Sequence, residues 1–173
     1  MIPLSSAISS GLTWSKLPCH HGYELNLNGE AVGSLRRTSF WSSKYLAETQ
    51  SGQWTFRRGG CFGTGAQILD SNSQHQIATF KSKWGNGGAL TFADGQTFHL
   101  QCRGWWRPVW SVIAESGEPL LRLHVREKTV DVPAASPAPD GRLALLILFT
   151  RYRVLQAEED AASAATVAVI AAS

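Results

Sequence analysis

The chain has 173 residues, with an apolar fraction of 43% and a charged fraction of 17%, values that suit one folded domain. A formal net charge of +3 is too small for the wholesale basic composition of a general nucleic-acid binder. Three cysteines (Cys19, Cys61, Cys102) are too few and too odd for a disulfide framework, and no stretch reaches the roughly 20 apolar residues of a membrane-spanning helix.

The N-terminus, Met-Ile-Pro-Leu-Ser-Ser, lacks a basic n-region and a sustained apolar stretch, so it does not read as a signal peptide; reduced thiols and a cytoplasmic location are the expectation. From residue 12 to 132 short alternating runs follow one another, the mark of half-buried strands. Leu12–Lys16 is the first. Tyr23–Leu27 turns through Asn28-Gly29 into Ala31–Leu35, and Asn-Gly between alternating runs is a strong hairpin signal. Four more hairpins follow: Lys44–Glu48 with Gln53–Phe56, Ala66–Leu69 with Gln76–Phe80, Ala89–Ala93 with Gln96–Leu100, and Val109–Ala114 with Leu120–His124. Lys128–Val132 is the twelfth strand. So many strands in one open sheet would leave long bare edges, and closing the meander into a barrel removes them.

Residues 133–139 hold three prolines and read as a linker. Asp140 is then a candidate N-cap for a helix over 140–157, in which Leu143–Phe149, Tyr152, Val154 and Leu155 are apolar nearly all round; a last strand is the rival reading, since Ile and Val are present. A barrel of about twelve antiparallel strands needs filling, and this helix is the natural plug. Asp160 reads as the cap of a separate short helix or tail over 160–173. The whole, 1–173, is expected to be one all-β domain with a C-terminal helix.

This order of elements, with aromatic strands running into basic residues as in Gln53-Trp-Thr-Phe-Arg-Arg58 and Ile77-Ala-Thr-Phe-Lys81, resembles the tubby C-terminal-like superfamily, which includes phospholipid scramblases and LURP-one-related proteins. The resemblance covers residues 12 to about 157. It implies a barrel around a C-terminal helix and an association with phosphoinositides or membrane surfaces. No acidic calcium loop and no Cys- and Pro-rich scramblase-type leader is present, so lipid scrambling is not implied.

Catalytic chemistry finds little support. Cys19-His20-His21 is the only local cluster of metal-type ligands, and adjacent strand residues face opposite ways; Cys61, Cys102, His75 and His99 are scattered. No metal and no cofactor is expected. No nucleophile-elbow motif occurs, and Asp70, Asp94, Glu115 and Glu118 fall at turns. Gly59-Gly60 and Gly85–Gly88 lack the Lys-Ser/Thr ending of a phosphate loop.

One constellation stands out. In a meander alternate connections share an end, so the tight, acidic or neutral turns gather at one end. The longer connections gather at the other, and four of them carry at least two cations, an aromatic residue and no carboxylate: residues 36–41, 57–62, 81–88 and 103–107. Arg37, Arg57, Arg58, Lys81, Lys83, Arg103 and Arg107 are the candidate anion-binding residues, with Arg58 and Lys83 expected in Gly-containing loops outside the strands and Trp41, Trp84 and Trp105 exposed. Arg gives bidentate phosphate contacts, and Trp suits a membrane interface. The expectation is a non-catalytic binding or regulatory module, peripheral at an anionic phospholipid surface, with nucleic acid the lesser alternative. A solvated barrel end, a small-ligand barrel and an enzyme of unknown chemistry are the competing readings.

Overall fold

The computed structural model describes residues 11–18, 22–39, 42–59, 65–83, 87–133 and 140–171. Twelve strands form a closed antiparallel barrel in which each strand pairs with its sequence neighbours. They are β1 (Leu12–Lys16), β2 (Gly22–Leu27), β3 (Glu30–Arg37), β4 (Tyr45–Thr49), β5 (Gly52–Gly59), β6 (Gly65–Asp70), β7 (Gln76–Ser82), β8 (Gly88–Phe92), β9 (Thr97–Arg103), β10 (Val109–Ala114), β11 (Pro119–His124) and β12 (Thr129–Asp131). The seam is β1 on β12, where Leu12 faces Val130 and Thr13 faces Thr129.

The turns explain the register. At the β2–β3 turn Asn28 and Gly29 both take positive φ, 52° and 88°, the left-handed backbone that matches strand twist in a two-residue hairpin. Alternation then sends one face of each strand inward: Leu25 and Leu27, Trp54 and Phe56, Ala78 and Phe80, Phe98 and Leu100 are all buried.

The lumen is filled by a helix, α1 (Asp140–Ala171). Leu143 to Phe149, Tyr152, Val154 and Leu155 are buried, so the apolar stripe goes all the way round, as a helix enclosed by a barrel requires. Its middle is an aromatic knot. Phe149 packs edge-on to Phe56 and Phe80, with centroids 5.4 and 5.5 Å away, and Tyr152 lies 5.4 Å from both Phe56 and Tyr45.

One expectation fails. There is no break near residue 158 and no second helix beginning at Asp160; α1 runs unbroken for 32 residues. The sequence from Ala157 to Ala171 has no Gly or Pro to stop it and is rich in alanine, the best helix former. Residues 158–167 are mostly exposed, so the helix leaves the barrel and projects from it.

The helix also has a defined direction. Arg142 binds Asp94 in the β8–β9 turn at 2.7 Å, which puts the helix start at the tight-turn end. Glu159 and Asp160 meet Arg37 and Arg58 at the opposite end, where the helix emerges.

Candidate functional site

The emerging helix and the longer connections share one end of the barrel, and the cations gather there. Of the 16 Lys and Arg, only Arg122, Arg142, Arg151 and Arg153 lie outside the strand ends and connections of this end. The tight-turn end carries Glu30, Glu48, Asp70, Asp94, Glu115 and Glu118. Two of these carboxylates are tied into turns. Asp70 accepts from the backbone N–H of Ser73 at 2.7 Å and of Asn72 at 3.0 Å, and the Ser73 bonds lead in holding its carboxyl below the usual range. Asp94 is lowered too, first by the hydrogen bond from Arg142.

The predicted cations divide into two sets. Arg37 and Arg58 point inward at the ends of β3 and β5, one step beyond Leu35 and Phe56 on the buried face. Arg58 is therefore a strand residue, not the loop residue expected. Its Nη2 lies 2.7 Å from Asp160 Oδ1 and 3.8 Å from Glu159 Oε2. Arg37 Nη1 is 3.4 Å from Glu159 Oε1, and its Nε donates to the Ser42 carbonyl at 2.6 Å. The Tyr45 hydroxyl donates to the same Glu159 oxygen at 3.1 Å. Burial, then the Glu159 charge, pushes the Tyr45 phenol up to about 12.

The other five point elsewhere. Arg57, on the outer face, donates to Gln67 Oε1 at 2.8 Å. Lys81, Lys83, Arg103 and Arg107 are exposed. Arg107 approaches Glu127 at 3.9 Å; Lys81, Lys83 and Arg103 form no ion pair with a described residue. Glu127, in the β11–β12 connection, and the helix acids Glu158, Glu159 and Asp160 mean that this end is net basic without being free of carboxylates.

Aromatic exposure is concentrated here as well. Trp105 and Trp106, in the β9–β10 connection, are 92% and 73% exposed, and with Pro108, Val125 and Arg126 they line an open cleft. Trp41 and Trp84, expected to join them, lie outside the described residues, as do Cys19, His20, His21 and Cys61. Among the described residues no group of three His, Cys, Asp or Glu side chains could hold a metal ion, and Cys102 is a half-buried thiol raised by that burial.

Sequence reasoning missed Arg151 and Arg153, which are buried at 7% exposure inside the barrel. Arg151 lies over the Tyr23 ring at 4.1 Å and Arg153 over the Phe80 ring at 4.5 Å, a cation–π arrangement that offsets some of the desolvation cost. The only signal was a break in the apolar pattern of the helix, Thr150-Arg151-Tyr152-Arg153.

No protein-family model, curated protein or solved structure matches this chain.

Proposed function

We propose that the protein is a non-catalytic binding module whose cation-bearing end docks on an anionic phospholipid surface. The observation that carries this reading is a coincidence of place. The exposed large apolar side chains among the described residues are Trp105, Trp106 and Val167, and all three lie at the end that holds the cations. Val167 sits on the helix segment that projects beyond the rim, which has no charged residue after Asp160. Cations draw the end toward anionic headgroups, and Trp side chains lodge at the interface between headgroup and acyl chain. The described helix, α1, is not long and apolar enough to cross a membrane. The tubby-like resemblance belongs to the same reading, supported by the twelve-strand meander around a helix.

The test is vesicle co-sedimentation. The parent should bind phosphatidylcholine vesicles carrying phosphatidylserine, and reversing Lys81, Lys83, Arg103 and Arg107 to Glu should abolish binding while leaving the melting temperature intact. These four side chains are exposed and none is tied to the helix. Equal binding by parent and variant would refute the reading.

A further inference from the structure

The mouth of the barrel holds an arrangement the outer cations do not explain. Arg37, Arg58 and the Tyr45 hydroxyl all converge on Glu159, and Arg58 also holds Asp160 at 2.7 Å. On the same helix, inside the barrel, lies Arg153, 7% exposed, with no carboxylate within ion-pair distance among the described residues. Its Nη1 donates only to the neutral Gln156 side chain, and its Nε has no partner. Seven residues, close to two full turns, separate Arg153 from Asp160 on α1, so the two lie on one face of the helix with Asp160 nearer the rim. Three guanidiniums (Arg37, Arg58, Arg153) stand against two carboxylates (Glu159, Asp160), which leaves one positive charge over.

We propose that this mouth is a binding site for a phosphomonoester group, occupied in the free protein by Glu159 and Asp160 as internal stand-ins. The proposal rests on reading this end as an anion-binding surface, and it deepens that reading by naming the group and what competes with it. The two carboxylates bring two charges from two separate side chains. A phosphomonoester brings about −1.5 to −2 in one group with three strong acceptor oxygens, matched to paired guanidinium forks. The side chains of Glu159 and Asp160 are 38% and 62% exposed, so they can swing into water by side-chain rotation alone while the helix stays in place. The vacated mouth then presents Arg37, Arg58 and the Tyr45 hydroxyl, with Arg153, which has no ion pair among the described residues, further down the same helix.

Neutralising the stand-ins should therefore tighten binding. In an NMR titration of inorganic phosphate against chloride at matched ionic strength, E159Q/D160N should bind phosphate at least about five-fold more tightly than the parent, because the competent state no longer has to be freed first. The Nε–H resonances of Arg58 and Arg153 should move with the titration, and adding R58Q to the double variant should return the affinity to the parent value. D160N alone, whose carboxylate meets only Arg58, should show a smaller gain in the same direction, and it keeps the test alive if the double variant does not fold. Unchanged phosphate affinity in D160N, or a gain with no movement at Arg58 and Arg153, would overturn the proposal.

A second arm separates the sources of the group. E159Q/D160N should prefer phosphatidylcholine vesicles containing phosphatidic acid over those containing phosphatidylserine at equal surface charge if the phosphomonoester belongs to a lipid. Phosphate binding without that preference assigns a free phosphorylated ligand to the same site. Loss of vesicle binding in every variant, with phosphate still bound at Arg58 and Arg153, would sink the membrane reading and leave the mouth site standing.

Discussion

Gly88 opens β8 so close to β7 that a Cβ there would lie 2.3 Å from Phe80 Cζ and 2.4 Å from the Lys81 carbonyl oxygen. Phe80 also packs on Phe149 of the helix, with Arg153 over its ring, so it has little freedom to shift. Gly88→Ala should cost about 2 kcal/mol or more, measured as a shift of the urea midpoint, since it overpacks a filled site and strains the ladder together. Wild-type stability in that variant would mean that β7 and β8 sit further apart than described. Tyr45 shows the same dependence on neighbours through its proton. Its folded pKa of about 12 exceeds the ordinary tyrosine value of 10.0, so the folded state holds the phenol proton more tightly than the unfolded chain does. The associated stability is complete below pH 10 and is lost as pH rises from 10 towards 12. Tyr45→Phe should flatten the alkaline limb of a stability–pH profile over that window. A profile unchanged by the substitution would detach Tyr45 from the effect.

At the scale of elements, the helix and the barrel define each other. From Arg142 to Glu159 the helix climbs about 26 Å at 1.5 Å per residue, and that rise joins a turn carboxylate at one end to rim guanidiniums at the other. Between them Leu146 is wholly buried. Leu146→Asp should cost about 4 kcal/mol or more, because it removes apolar contact and leaves an unpaired charge in the lumen. A variant as stable as the parent in urea melts would place the helix outside the core. The hairpins were legible because period-two alternation and Asn-Gly or Asp-Gly turns are local signals. The length of the helix was not. Asp160 looks like an N-cap only if a helix begins there; within α1 its carboxylate is instead taken by Arg58, a residue 102 positions earlier in the chain.

On the scale of the whole molecule, charge is sorted along the barrel axis. The start of the helix, with its partial positive charge, lies among turn carboxylates, and the projecting segment leaves through the cations. Such a molecule should orient itself at an anionic surface before touching it. Binding to phosphatidylserine vesicles should weaken steeply as salt rises past about 0.2 M, where the screening length falls below about 8 Å. The same binding at low and high salt, or equal binding to neutral vesicles, would shift the attachment from the cations to Trp105, Trp106 and the helix tip.

The sequence by itself determined the number and order of strands, the barrel that their edges demand and the enclosed helix, because alternation, turn chemistry and all-round apolarity are carried by neighbouring residues. It also located the cations, since a meander fixes which connections share an end. Only the tertiary structure decided which cations are free to meet a partner. Arg37, Arg58, Lys81 and Arg103 look alike in the sequence, yet the first two turn inward to the helix acids and the others face water. That division depends on strand register and on where the helix rise brings Glu159 and Asp160 level with the rim, quantities set by packing across the barrel and by no local pattern.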